Sequence, residues 1–265
     1  MKTVLSIAGA DPSGGAGIHA DLKTFTAHGV YGMAVITAVT AQNTLGVSAV
    51  ECVSPGMVRA QLEAVFTDIM PDAVKIGMIP DGRTATIIAG ALARFSPPHI
   101  VVDTVMVSSS GFSLLAAEAK EIILKEIFPL AELLTPNVPE ASALAGIPVR
   151  TRADMERAAK IIRARCGSSV LVKGGHLADS CDDFLLSGAG SRWFQGTRVE
   201  TKNSHGTGCT LSSAIAANLA EEMSLDEAIE KAKGYLTAAI SAGLCLGNGN
   251  GPLDHCWEIN ARHKA

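Results

Sequence analysis

Aromatic side chains are scarce in this sequence: seven Phe, two Tyr and two Trp make up 4% of 265 residues. A core must therefore be built from Ala, Val, Ile and Leu, and a 48% apolar fraction is ample for one. Charge is sparse too, at 18% with a net of −4, and no basic cluster occurs. That disfavours nucleic-acid partners and a polybasic membrane-surface site. The six cysteines (Cys52, Cys166, Cys181, Cys209, Cys245 and Cys256) form no C-x-x-C pair and show no metal-ligand spacing. This pattern reads as a reduced, cytoplasmic protein. The apolar part of the opening M-K-T-V-L-S-I-A-G-A-D is too short for a secretion signal. Between Lys23 and Glu51 no charged residue occurs, yet Gly29, Gly32, Gln42, Asn43 and Gly46 interrupt the segment. Its apolar runs fall short of the ~18 residues of a membrane span. No repeat, low-complexity tract or linker divides the chain, so a single domain over 1–265 is expected.

What is present is an alternation of β-type apolar runs and helical segments. Val4 to Ala8, Ala34 to Val39, Ala73 to Ile76, Ile100 to Val102, Leu133 to Thr135 and Val170 to Val172 are continuous runs, as in strands buried on both faces. Helices are predicted over Ala16 to His28, Pro55 to Ile69, Arg83 to Phe95, Ser113 to Ile127 and Asp154 to Arg165. Ser224 with Glu227 forms a capping box for one more, running to about Leu246. Asp183 to Val199 reads as short antiparallel strands around Ser187 to Ser191. The sum is a doubly wound α/β fold with a mostly parallel sheet. In such folds ligands sit beyond the carboxyl ends of the strands. The residues there are Gly9-Ala10-Asp11, Gln42, Gly77-Met78, Asp103, Asn137 and Lys173.

Two glycine-rich loops invite a phosphate reading. The first, A-G-A-D-P-S-G-G-A-G from Ala8 to Gly17, has the glycine spacing of a P-loop, but Gly15 and Ala16 stand where its Lys and Ser/Thr belong. It also fits half of a dinucleotide fingerprint, yet the next strand ends in Gln42 instead of an acid. An amide that both donates and accepts suits a neutral heterocycle better than a ribose. The second loop, T-K-N-S-H-G-T-G-C-T-L-S-S-A from Thr201 to Ala214, opens directly into a helix. Gly206, Thr207 and Gly208 would point unpaired N–H groups at an anion. Cys209 lies at the same helix start, which lowers a thiol's pKa, while bound polyphosphate would raise it again. His205 precedes the helix and is expected to brace the loop. Phosphoryl transfer uses these parts: amides for the transferring oxygens, Lys173 for charge, and Asn137 with Glu140 to position magnesium and its waters. N-x-x-E alone is equally a helix cap with an acid in the first turn.

Eight motifs then occur in order. They are D-P-S-G-G-A-G-I-x-A-D (Asp11 to Asp21), A-Q-N-T (Ala41 to Thr44), K-I-G-M (Lys75 to Met78), D-T-V-M (Asp103 to Met106), T-P-N-x-P-E-A (Thr135 to Ala141), K-G-G-H (Lys173 to His176), the Thr201 to Thr210 loop, and G-x-G-x-G-P (Gly247 to Pro252). Over essentially its whole length the chain resembles the hydroxymethylpyrimidine/phosphomethylpyrimidine kinases of thiamine biosynthesis, in the ribokinase superfamily. G-T-G-C is the most telling piece, because most ribokinase-like kinases carry Asp where Cys209 stands. Ser204 and Asn248 depart from the common Thr and Lys. The resemblance implies a ribokinase-like three-layer α/β/α sandwich and a homodimer. It implies ATP and Mg2+, with two successive phosphorylations of a small pyrimidine. It places Gln42, Gly9, Asp11, Met78 and Val105 at the pyrimidine; Asn137, Lys173 and Thr207 at ATP; Glu140 and Asp103 at the metal; and Cys209, Gly206, Thr207, Gly208 and Lys173 at the reacting groups. Cys209 would be the base of the first step. Rival expectations are a pyridoxine or pyridoxal kinase on the same fold, a pyrimidine-binding regulatory protein without turnover, and a hydrolase using Cys209 as nucleophile.

Overall fold

The apolar run near the amino end lies in the middle of a sheet. β1 (Thr3–Ala10) is buried from Val4 onward, as a strand covered on both faces must be. The computed structural model describes residues 1–105, 117–177 and 181–264. Among these, the other strands are β2 (Tyr31–Asn43), β3 (Gly46–Cys52), β4 (Ala73–Ile76), β5 (His99–Val102), β6 (Leu133–Leu134), β7 (Ser169–Val172), β8 (Asp183–Ser187) and β9 (Gly190–Phe194). They form one sheet in the order β3-β2-β1-β4-β5-β6-β7-β8-β9. The stretch from β2 to β7 is parallel, and β3, β8 and β9 extend it antiparallel at the two edges. Strand order reverses at β1, which has β2 on one side and β4 on the other. That reversal opens a crevice at the carboxyl ends of β1 and β4.

Adjacent residues on each central strand serve opposite layers, as the two-residue period of a strand requires. Leu5, Val74, Val102 and Leu134 face α2 (Pro55–Phe66), α3 (Gly82–Phe95), α5 (Val138–Ala145) and α6 (Arg152–Cys166), through Leu62, Ile88, Leu144 and Met155. Val4, Ala73, Val101 and Leu133 face α1 (Gly17–Ala27), α7 (Thr207–Ala220) and α8 (Leu225–Ser241), through Phe25, Ile215 and Ile229. The result is the three-layer sandwich. Every residue of α7 from Thr210 to Ala220 is buried. Its alanines let it lie flat between sheet and outer helices, the usual setting of a helix apolar all round.

The structure corrects several expected boundaries. β2 does not end before Gln42: it runs to Asn43 and turns back as β3, so Gln42 lies within an antiparallel ribbon opposite Val47. β3 went unread because its residues are exposed or half-buried and carry little core periodicity. The α8 helix stops at Ser241, not near Leu246, with Gly243 at φ 63° just beyond. The segment expected as a helix from Ser113 appears as α4 (Ala117–Ile122) followed by a π-type turn over Ile123–Ile127, and its first residues lie outside those described. A terminal helix, α9 (Trp257–Lys264), was not anticipated. Among the described residues, no helix is long and apolar enough to cross a membrane.

Leu134 is fully buried on a central strand. Leu134→Ala is expected to lower unfolding free energy by ~2–5 kcal/mol, read from the midpoint of urea denaturation.

Candidate active site

The two glycine loops meet. Gly206 caps α7 at φ 82°, and no side chain caps that helix. The Thr207 amide reaches the Ser204 carbonyl at 3.4 Å, while those of Gly208 and Cys209 are left for another acceptor, and Gly206, Thr207, Gly208 and Cys209 all line a cleft of about 860 Å3. A Cβ on Gly206 would collide with the Gly15 carbonyl, and one on Gly15 would collide with the His205 ring. Backbone packs on backbone here, and only glycine permits it.

Asp11 fastens the contact. Its Oδ1 accepts hydrogen bonds from the Ser13 amide (2.9 Å) and the Ser13 hydroxyl (2.8 Å). Its Oδ2 accepts from the Ala16 amide (2.9 Å) and pairs with His205 Nε2 (2.8 Å). Burial opposes the Asp11 charge, but the bonds from His205 and Ser13 outweigh it and hold the carboxyl below its ordinary range. Asp11, expected at the substrate, lines the cleft with both oxygens occupied by loop donors. His205 braces the loop as expected and forms no Cys–His dyad, being committed to Asp11 and, at 3.3 Å, facing Gln42 Nε2. With its Nε2–H donating to the ionised Asp11, His205 offers no lone pair there to Gln42. The Gln42 amide therefore keeps hydrogens for a ligand, while its Oε1 lies 3.2 Å from Thr40 Oγ1. Gly9, Met78 and Val105 complete this side of the cleft. The absence of a side chain on Gly9 admits the Met78 sulfur, which would stand 3.0 Å from a Cβ there.

Across the cleft, Lys173 pairs with Asp103 at 3.0 Å. Burial works against the Lys173 charge, but Asp103 and then Glu140 carry its pKa above the ordinary lysine range. Asp103 also accepts from Thr135 Oγ1 at 3.3 Å. Asn137 and Glu140 make a full capping box at the start of α5: Asn137 Oδ1 accepts from the Glu140 amide and Glu140 Oε2 from the Asn137 amide, both at 2.9 Å. The plain cap pattern is thus present. Both residues nevertheless line the cleft, and Asn137 Nδ2 and Glu140 Oε1 take no part in the box. The Glu140 carboxyl is raised by burial and by Asp103, against the pull of Lys173.

Cys209 departs from the helix-start expectation. Its thiol is raised to about 11, chiefly by burial and further by Asp21 and Asp103, with Lys75 and the Gly17 amide opposing. Desolvation of a thiolate outweighs the field of one helix end here. Sequence reasoning also passed over Lys75 and Asp21. Both are 0% exposed, and Lys75 Nζ lies 2.9 Å from each Asp21 oxygen. The available signal was a lysine inside the otherwise apolar strand A-V-K-I, where a charge must be paired.

With this geometry in view, the comparisons are decisive. A phosphomethylpyrimidine kinase family model matches residues 11–254. The chain belongs to that family. It is 51% identical to the hydroxymethylpyrimidine/phosphomethylpyrimidine kinase of Rhizobium meliloti over 95% of this chain and 96% of that protein. Among solved structures it resembles the phosphomethylpyrimidine kinase of Clostridium difficile, with a TM-score of 0.81 and 45% identity over 91% of this chain and 100% of that one. It also resembles an ADP complex of Bacillus subtilis pyridoxal kinase, with a TM-score of 0.90 and 35% identity over 98% and 99%. Phosphomethylpyrimidine kinases of this kind and pyridoxal kinases thus share one scaffold, and membership of the family rests on the sequence match.

For this kinase, Gly206→Ala is expected to cost more than ~1 kcal/mol of stability, since φ 82° strains any L side chain. ATP turnover should fall at least tenfold as the loops separate (about 1.4 kcal/mol in barrier). Thermal unfolding and ADP release measure the two effects.

Proposed function

We propose that this chain transfers a phosphoryl group from ATP to the hydroxymethyl arm of 4-amino-5-hydroxymethyl-2-methylpyrimidine, and a second one to the resulting monophosphate. The single observation that carries this reading is that Gln42, Gly9, Met78 and Val105 share a cleft with the uncapped amides at the start of α7. The ring would lie against the first group, with Gln42 reading its aminopyrimidine edge. The triphosphate tail would rest on the amides of Gly208 and Cys209, with Lys173 neutralising charge and Asn137 contacting phosphate. Transfer of this kind needs alignment and charge stabilisation more than covalent help.

Magnesium, bound with ATP, would neutralise phosphate charge, and the residues fit it. The buried Glu140 carboxyl, crowded by Asp103, suits a hydrated dication, whereas Asp103 is held by Lys173 and Thr135. Among the described residues, no group of three or more His, Cys, Asp or Glu could hold a metal alone. That accords with an ion held largely by water and phosphate. We further propose a cytoplasmic homodimer, with the β8–β9 edge as one candidate contact.

In the first step the alcohol proton passes to the Cys209 sulfur as the new O–P bond forms and ADP leaves. Only the thiolate can accept it, and a thiol raised to about 11 is almost wholly protonated near neutrality. The first step should therefore quicken with pH. The second step attacks with a phosphate oxygen already ionised, since its second pKa is about 6. A pyridoxal kinase reading is favoured by one observation, the TM-score of 0.90, and competition between pyridoxal and the pyrimidine decides it. A regulatory protein without turnover would give no ADP.

Phosphorus NMR with ATP, magnesium and hydroxymethylpyrimidine is expected to show mono- and then diphosphate. Cys209→Ala should slow the first step by about 10²–10⁴-fold and leave the second near its original rate. Wild-type kcat/KM for the first step should rise about tenfold per pH unit below the thiol pKa, with the second flat. Equal losses in both steps would remove Cys209 as base.

A further inference from the structure

The thiol of Cys209 sits where two helices begin. The Gly17 amide, in the first turn of α1, is turned toward its sulfur and favours the thiolate. Gly17 and Asp21 are four apart on α1, as Cys209 and Ser213 are on α7, so each pair stacks on one helix face. The lower rung is closed: Ser213 Oγ donates to Asp21 Oδ1 at 2.8 Å. Lys75 enters this rung from β4, 2.9 Å from both Asp21 oxygens, and Ser6 Oγ donates to Asp21 Oδ2 at 2.6 Å. Lys75 and Cys209 both reach the cleft wall, and a Cβ on Gly77 would press on Lys75 Nζ at 3.0 Å. The ammonium is thus fixed from two sides, by Asp21 and by Gly77, on the same cleft wall as Cys209.

We propose that Lys75, anchored by Asp21, is a positioning residue whose ammonium serves as the countercharge for the Cys209 thiolate during the first phosphorylation. This rests on the reading of Cys209 as proton acceptor. When the alcohol proton moves to sulfur, the Cys209 charge is quenched and the Asp21–Lys75 pair is left balanced. Before transfer, the cluster carries one net negative charge, and Lys75 with the Gly17 amide is what stabilises it. The other charged groups facing the sulfur are Asp21 and Asp103, which oppose ionisation, and Lys173, whose charge the thiolate favours in turn. Burial opposes the Lys75 charge, but Asp21 and then Cys209 more than restore it, so the ammonium persists throughout.

The test reads sulfur ionisation without turnover. Iodoacetamide alkylation of Cys209 in the full chain is followed against pH by peptide mass spectrometry, which separates it from the other five cysteines. The double variant Lys75→Met with Asp21→Asn removes both charges and keeps hydrogen-bonding capacity for Ser6 and Ser213. It should move the Cys209 curve upward, a slower reaction at fixed pH, because the Lys75 charge acts on the sulfur more strongly than the Asp21 charge removed with it. The pH profile of the first step should follow. Lys75→Arg should restore most of the wild-type curve. Should the double variant fail to fold by thermal unfolding, Lys75→Gln alone keeps a donor to Asp21 while removing the countercharge, and should move the curve upward. An unmoved curve in a folded variant overturns the proposal. A moved curve combined with equal losses in both steps for Cys209→Ala sinks the base reading while leaving Lys75 as countercharge.

Discussion

The site depends on one contact, the seating of the Ala10–Gly17 loop against the loop that opens α7. Neither loop is a ligand cradle alone. The first supplies the wall on which a ring can lie, the second the amides that face an anion. Gly15 and Gly206 let their backbones touch, and Asp11 converts proximity into a fixed geometry by accepting bonds from both loops. A buried carboxylate satisfied by four donors is costly to displace. The spacing of the two loops is therefore set by close backbone packing and by one fully bonded buried carboxylate. Phosphoryl transfer gains most of its rate from such fixed alignment.

A second buried pair lies beneath the first contact and demands a different explanation. Asp21 and Lys75 are both fully buried. Ion pairs of that kind recover little more than their own desolvation, and an apolar pair of similar volume often serves stability as well. Their action on Cys209 supplies what stability does not. The sulfur belongs to a half-buried residue on the cleft wall, and desolvation, with Asp21 and Asp103, drives its proton affinity up. A cation that cannot leave is the direct counterweight. The anchoring carboxylate both holds that cation in place and limits its influence, so the sulfur retains its proton at rest.

Most of this was legible in the sequence wherever residues act through the backbone or through burial. The parallel strands, the doubly wound class and the glycine loop before α7 follow from apolar runs, glycines and a helix start. Lys173 could be placed at the cleft because it follows a strand, and Cys209 because it opens a helix, whereas Gln42 reaches the cleft from within β2. Side-chain commitments were less readable. Asp11 looks like a ligand residue from its place after β1, yet nothing local reveals that His205, 194 positions on, would occupy it. The N-x-x-E pattern at Asn137 fits a cap and a metal site equally well, because both need a carboxylate one turn into a helix. β3 was missed since an edge strand with no buried residue leaves no periodic trace. The thiol's proton affinity stayed open for the same reason: helix-end polarity is local, while desolvation depends on everything packed around it.

The fold likenesses bear on specificity in an unexpected direction. Superposition is better with a pyridoxal kinase than with a phosphomethylpyrimidine kinase, at TM-scores of 0.90 and 0.81, although identity runs the other way at 35% and 45%. The scaffold therefore cannot be what chooses the ring. Choice must reside in the few side chains at the acceptor wall. A carboxamide is suited to a ring edge that places an acceptor nitrogen beside an exocyclic amine, since it can donate to one and accept from the other, as amides do with adenine. The His205–Asp11 pair matters here as well. By accepting the hydrogen bond of the His205 Nε2–H, Asp11 leaves the Gln42 amide without an internal acceptor at that nitrogen, so its hydrogens stay available. The interaction that locks the two loops is thus also the one that keeps the proposed reading group free to read.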